Sequence, residues 1–367
     1  MILLFIVGVA LCYFAAQYYY KKNWDQKLTV SLSFDRETMY AGEEVVLTET
    51  IENRKQMPVP TLEVSFACDI SFAFADMSNA RISDQIYKRD VFSVLGQQKI
   101  ARRLTMVCRK RGCFDISRAE LSSYGYLIHE KLMTEKQVDA RICVYPRRVR
   151  VSEIIFLCEK LLGDRQCEKH LYEDPFAFAG IREYQPTDPM HRINYKVSAR
   201  MGQWMVNTFE STKAGKVMLF LDLEDNVVRR QEQVLENSIS IAASVAASLL
   251  RQGMEVGLWI GTQTPVVLPL AAGVHSAARI ERTLAQINTI EAMSRLSQEE
   301  TAVELKKMVE QTDALPCFIS KNQRQNQALF LSLAKLRRIF WVQPVEFRTD
   351  GEKVIADGLT HYIWQEQ

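Results

Sequence analysis

The sequence predicts a membrane-anchored chain with two soluble domains, an all-β sandwich followed by an α/β domain. Three observations carry that expectation. Residues 1–20 contain no charged side chain, residues 25–150 alternate apolar and polar with a period of two, and beyond residue 215 apolar strands alternate with helix-period stretches. The chain has 367 residues, 47% hydrophobic and 25% charged, far from the composition of a disordered chain and long enough for two cores. Its net charge of +2 gives no long-range field toward nucleic acid. The local clusters Arg109-Lys110-Arg111 and Arg147-Arg148 with Arg150 read as solvated turns.

Residues 1–20 are expected to form a single-pass transmembrane helix, since ~20 residues at ~1.5 Å each match a bilayer core of ~30 Å. Tyr18, Tyr19 and Tyr20, with Trp24 behind, read as an interfacial aromatic belt, and Lys21 and Lys22 place the following body on the cytoplasmic side. A cleaved signal peptide fits less well, because no Lys or Arg precedes the apolar run and no small-residue cleavage site follows it. Leu11 is too bulky for a lipoprotein site at Cys12. The eight cysteines (Cys12, Cys68, Cys108, Cys113, Cys143, Cys158, Cys167, Cys317) lack C-x-x-C spacing, so free thiols in a reducing compartment are expected and cysteine-bound metal is not.

In residues 25–150, Leu28, Val30, Leu32 and Phe34 alternate with polar neighbours, as do Leu62, Val64 and Phe66. Ala41-Gly42-Glu43-Glu44 is a turn signal before a strand over residues 45–51, and Asn53 with Met57-Pro58-Val59-Pro60 ends it. Further strands are expected at 104–108, 113–116 and 142–145. With no helix-period stretch among them, an immunoglobulin-like antiparallel sandwich follows. Glu49 falls on the inward face of its strand, against the pattern.

Residues 151–214 read as a linker. Within 215–367, residues 216–223 (KVMLFLDL) suit a strand buried on both faces. Helix patterns follow at 231–252, 277–290, 298–311 and 325–336, with strands at 254–260, 315–319 and 339–342. This alternation predicts a Rossmann-like, mainly parallel sheet with ligands beyond the strand carboxyl ends, where Asp222 sits.

The linker carries a motif: Gly180-Ile181-Arg182-Glu183-Tyr184-Gln185-Pro186-Thr187-Asp188-Pro189, then Arg192-Ile193-Asn194-Tyr195, Ser198-Ala199-Arg200 and Phe209-Glu210. It resembles the signature of the domain-of-unknown-function 58 family, with Thr187 for the usual glycine and Tyr195 for the usual tryptophan. The resemblance implies a von Willebrand factor A-like last domain. It also implies a bacterial, non-enzymatic scaffold or adaptor at the cell membrane. Its partners would be a MoxR-type AAA+ ATPase and other proteins of the same operon, in assembly or maturation of a complex.

Arg182, Glu183, Tyr184, Asp188, Arg192, Ser198 and Arg200 are the candidate interaction residues. Their mixed charges better suit a buried ion-pair and hydrogen-bond network that fixes the linker against the α/β domain, since buried charges require partners. A metal-dependent binding or adhesion module is the alternative. Such a site needs D-x-S-x-S to offer hard oxygen ligands to Mg²⁺. Here the positions hold Asp222, Glu224 and Asn226, and a later strand ends in Ser320-Lys321 instead of an aspartate, so no metal or other cofactor is expected. His191 has no Ser or Cys at a nucleophile turn beside it. P-loop, G-x-G-x-x-G and H-E-x-x-H motifs are absent from the sequence, so no enzyme is expected.

Overall fold

The structure, a computed structural model, describes residues 2–124, 131–169, 178–186, 188–209, 215–223, 232–262, 265–287, 298–346, 353–356 and 358–365. The chain divides into two compact units, Met1–Arg148 with Glu281–Ile287, and Val149–Ile280 with Asn288–Gln367.

The first unit begins with helix α1 (Ile2–Asn23), whose 22 residues extend ~33 Å at ~1.5 Å per residue. Phe5, Ile6, Val7, Val9, Leu11 and Phe14 are all exposed, so the described stem is apolar and uncovered by the protein. It is apolar enough to span a membrane. Lys21 and Lys22 in the last turn complement the helix dipole.

The expected aromatic belt is corrected in part. Tyr18 and Tyr19 are exposed, but Tyr20 in the last turn of α1 and Trp24 just past its end are 2% and 4% exposed and belong to the sandwich core. The Tyr20 hydroxyl is hydrogen-bonded to Ser123 Oγ at 2.9 Å. Lys55 Nζ donates to the carbonyls of Asn23 (3.1 Å) and Trp24, satisfying acceptors that a helix end leaves open.

The sandwich has ten strands: β1 (Leu28–Phe34), β2 (Thr38–Tyr40), β3 (Glu44–Asn53), β4 (Val59–Cys68), β5 (Phe72–Phe74), β6 (Ala80–Ile82), β7 (Ile86–Val94), β8 (Gln98–Cys108), β9 (Gly112–Tyr124) and β10 (Lys131–Tyr145). They form two sheets, β1-β3-β8-β5 and β2-β10-β9-β4-β7-β6, antiparallel except where β2 joins β10. Leu32, Leu47, Ile51, Val64, Leu104 and Leu121 lie in the core between them. Gly42, at φ +94°, makes the turn that its sequence signalled.

Glu49 does point inward, and it has company. It pairs in register with Arg102 on β8, and its interactions reach Lys88 and Asp90, inward-facing residues of β7 in the other sheet. Lys88 and Asp90 are fully buried. Lys88 Nζ donates to the carbonyls of Asp76 (3.2 Å) and Ser78 (2.6 Å), and lies 5.7 Å from the centroid of the Phe74 ring. Arg102 Nη1 approaches Asp90 Oδ1 at 2.9 Å.

The cysteines depart from expectation at one pair. Cys113 and Cys143 face each other across β9 and β10 and form a disulfide. Cys68, Cys108, Cys158 and Cys317 are buried free thiols, Cys12 is an exposed one, and the Cys167 side chain lies outside the described residues. Burial pushes the Cys68 and Cys108 thiols up to about 12, which keeps them protonated and inert.

The second unit opens with α2 (Ser152–Lys169), where a linker was expected. Ile154, Leu157, Cys158 and Leu161 are its buried face. Next come β11 (Phe178–Glu183), α3 (Tyr195–Met201) and β12 (Met205–Phe209). The remainder comprises β13 (Lys216–Asp222), α4 (Glu232–Arg251), β14 (Glu255–Gly261), β15 (Val266–Ala271), α5 (Val274–Gln286), α6 (Gln298–Gln311), β16 (Leu315–Ile319), α7 (Gln323–Ala334), β17 (Ile339–Val345), β18 (Lys353–Ala356) and β19 (Leu359–Gln365). Helix α4 is long and apolar enough to cross a membrane, yet 83% of its apolar window is buried, so it is a core helix.

The expected Rossmann-like, von Willebrand factor A-like α/β domain is corrected. This region is β-rich, with a seven-stranded mixed sheet of order β15-β14-β13-β16-β17-β19-β18 and a separate β11–β12 ribbon. β13, β14, β16, β17 and β19 run parallel, but both edges, β15 and β18, are antiparallel. Three strands of the sheet, β15, β18 and β19, escaped the sequence pattern, as did both strands of the ribbon. β19 mixes polar and apolar residues instead of forming an apolar run, and β15, though apolar throughout (VVLPLA), carries Pro269, which reads against a strand and is tolerated only at a sheet edge.

Candidate functional site

The signature residues fold into a small self-contained unit. β11 and β12 pair antiparallel, with Arg182 opposite Val206 and Glu183 opposite Met205. Asn194 starts α3: its side chain accepts from Val197 N (3.1 Å) and donates to Asn207 Oδ1 (2.8 Å). Ser198 stitches helix to strand. Its hydroxyl donates to Asn194 O (2.8 Å) and accepts from Met205 N (2.9 Å). Gly202, at φ +71°, then turns the chain into β12.

The Arg182 guanidinium grips Asp188 with both arms, Nη1 to Oδ2 at 2.6 Å and Nη2 to Oδ1 at 2.5 Å, and Asp188 Oδ2 also accepts from Gln185 N at 2.8 Å. This bidentate pair fixes the turn after β11. It is not a buried network, because the Arg182 side chain is 43% exposed. Glu183 accepts from Gln203 Nε2 (2.8 Å), the Tyr184 backbone N–H bonds Trp204 O (2.8 Å), and Arg200 is exposed in the last turn of α3. The side chain of Arg192 lies outside the described residues, as do Thr187 and Glu210.

Sequence reasoning missed the apolar surface of this unit. Met190, Tyr195, Met201 and Trp204 are 58–72% exposed, and the rings of Tyr195 and Trp204 meet edge to face at 6.2 Å. Large side chains that should be buried are held outward by a rigid polar frame. The available signal was Trp204 itself, a tryptophan beside the turn residues Gly202 and Gln203.

At the carboxyl end of β13, Asp222 is nearly buried. Its Oδ2 accepts from Ser320 Oγ and Asn326 Nδ2, both at 2.8 Å, while Asn326 Nδ2 also reaches Ser320 Oγ at 2.9 Å. The Trp341 indole N–H bonds Ser320 O at 3.1 Å. Glu224 and Asn226 lie outside the described residues. Asp222 and the Ser320 hydroxyl alone fall short of the oxygen shell Mg²⁺ requires, and Ser320 and Asn326 already satisfy one carboxylate oxygen. Among the described residues no three His, Cys, Asp or Glu side chains converge as metal ligands. Ser320 stands where an aspartate was sought, and it acts as a donor to Asp222.

Comparison with known proteins agrees with the signature. The uncharacterized protein YeaD of Bacillus subtilis (strain 168) is 28% identical over 124 residues, 33% of this chain and 30% of that protein, so the chain matches under a third of its relative. Among solved structures, a non-cellulosomal cohesin from Archaeoglobus fulgidus is 10% identical with a TM-score of 0.23, covering 36% of this chain and 97% of that one. A type II cohesin dyad from the adaptor ScaA scaffoldin of Acetivibrio cellulolyticus is 13% identical with a TM-score of 0.25, covering 31% and 47%. Residues 180–332, beginning at the first glycine of the signature, match the family described as "Protein of unknown function DUF58".

Proposed function

We propose that the protein is a membrane-anchored, non-enzymatic scaffold whose signature segment docks a partner protein. The exposed Met190–Tyr195–Met201–Trp204 surface on the frame of Arg182 and Asp188 carries this reading. Aromatic and methionine side chains held rigidly in water suit the buried centre of an interface. The partner class implied by the family resemblance is a MoxR-type AAA+ ATPase, joined by other products of the same operon. A scaffold role also fits Ser198 and Ser320, whose hydroxyls are engaged in structural hydrogen bonds and face no histidine base among the described residues.

The apolar stem of α1 supports the anchor, and Lys21 and Lys22 favour a single pass with a cytoplasmic body. The Cys113–Cys143 bond pulls toward an oxidising side. Thiol trapping in intact cells before lysis decides between them, since a cytoplasmic body yields a reduced, alkylated pair.

The test of docking is co-purification of the full chain from detergent extract under ATP and under ADP. The expected result is capture of an AAA+ ATPase, weakened about tenfold or more by Trp204→Ala at unchanged melting temperature. Absence of any such ATPase with either nucleotide, or capture indifferent to Trp204→Ala, sinks the proposal.

A further inference from the structure

The end of the sandwich that receives α1 concentrates positive charge. Three connections meet there: Arg54 N donates to Lys27 O (3.0 Å), Gln97 N to Lys55 O (2.9 Å) and Gln97 Nε2 to Arg54 O (2.9 Å). They tie the α1–β1, β3–β4 and β7–β8 connections into one surface, and Lys55 links that surface to the end of α1. Residues 21–28, 52–59 and 94–99 hold six cationic side chains, Lys21, Lys22, Lys27, Arg54, Lys55 and Lys99, against two carboxylates, Asp25 and Glu52. The whole chain has a net charge of only +2, so this excess is local. Lys21, Lys22, Lys27, Arg54 and Lys99 are exposed, and the exposed Leu95 sits among them.

The junction fixes where this surface lies. Tyr18 and Tyr19 remain exposed and suit headgroup level, while Tyr20 and Trp24 are locked in the sandwich core. Asn23 follows Tyr19 by about 6 Å at ~1.5 Å per residue. The charged surface therefore begins within about one Debye length, ~8 Å at physiological ionic strength, of lipid phosphates.

We propose that this end of the sandwich is a second membrane contact, a basic collar that binds anionic lipid headgroups. The proposal rests on α1 being the anchor. The occupant is a bilayer surface because the collar continues from the apolar stem without a break, and because its charge is opposite to that of phosphatidylglycerol. Each cation near an anionic leaflet strengthens attraction about fivefold.

The experiment uses the full chain in a zwitterionic detergent, with retention of phosphatidylglycerol and phosphatidylcholine compared by native mass spectrometry. Retention selective for phosphatidylglycerol is expected, reduced about a hundredfold in K27Q/R54Q/K99Q and kept in K27R/R54K/K99R. Equal retention of the two lipids, or unchanged selectivity in the glutamine variant, overturns the collar. Loss of selectivity in both variants also overturns it, because side-chain shape and not charge would then be responsible. Should the glutamine variant not fold, Lys99→Gln alone with a salt titration gives the same decision. Insertion into neutral phosphatidylcholine vesicles is the separate arm: failure there sinks the anchor, whereas insertion without lipid selectivity sinks the collar alone.

Discussion

Two buried polar clusters in this protein are built by opposite rules. The sandwich encloses Glu49, Lys88 and Asp90, with Arg102 reaching in, and neither carboxylate finds a well-aligned hydrogen-bond donor. The strand-end cluster holds one carboxylate, Asp222, and meets it with two neutral donors, Ser320 and Asn326. The first is balanced by Coulomb attraction and tied to protonation state, whereas the second is held by directional bonds. Burying charge is tolerated when ions compensate one another, and removal of any one leaves its neighbours unpaired.

The largest effect expected from this contrast is at Asp90. Asp90→Ala strands Lys88 and Arg102 and costs about 3–5 kcal/mol of stability, read as the denaturant midpoint of the full chain in detergent. A loss below about 1 kcal/mol would show that the sandwich cluster is not compensated as described.

Glu49 sharpens the contrast through pH. Burial first, and then the neighbouring Asp90, raise its carboxyl from 4.5 to about 8. The folded state keeps a proton that the unfolded state releases above 4.5, so this group's stabilisation is full below 4.5 and is lost as pH rises to about 8. The steepest slope is about 1.4 kcal/mol per pH unit. Glu49→Gln removes that slope, and the variant should become the more stable protein at pH 9. Parallel stability–pH curves for the two proteins would contradict this account.

Asp222 should be milder. Asp222→Ala removes the acceptor shared by Ser320 and Asn326 and costs about 1–3 kcal/mol. A strong dependence on added Mg²⁺ in the wild type, absent from the variant, would instead reopen a metal role.

The legibility of the sequence follows the same division. Period-two alternation located β1, β3, β4, β8, β9 and β10 because each buries one face, whereas β2, β5, β6 and β7 went unread, and the stem of α1 was legible from its lack of charge. Lys88 and Asp90 were invisible as core residues, since inward charges on β7 look like the outward half of an alternation. Glu49 stood out only because its apolar neighbours Leu47 and Ile51 set the phase. In the second unit the apolar runs of β13 and β16 were readable, but the edge strands β15 and β18 and the adjoining β19 were not, which led to the wrong fold class. The polar residues of the signature and Tyr195 were recognised, while Trp204 and the exposure of both rings were not, because exposure of an aromatic is decided by neighbours far along the chain.

The burial of Tyr20 and Trp24 has a mechanical consequence. A tether joined through a flexible linker lets its cargo swivel, but here the last turn of α1 is also a piece of the sandwich core. With α1 in a bilayer, as proposed, tilting the helix tilts the sandwich by the same angle, and a pull on the sandwich reaches the membrane undamped. Separating the two requires melting the core around Ser123 and Tyr20, so the stem works as a lever with no hinge.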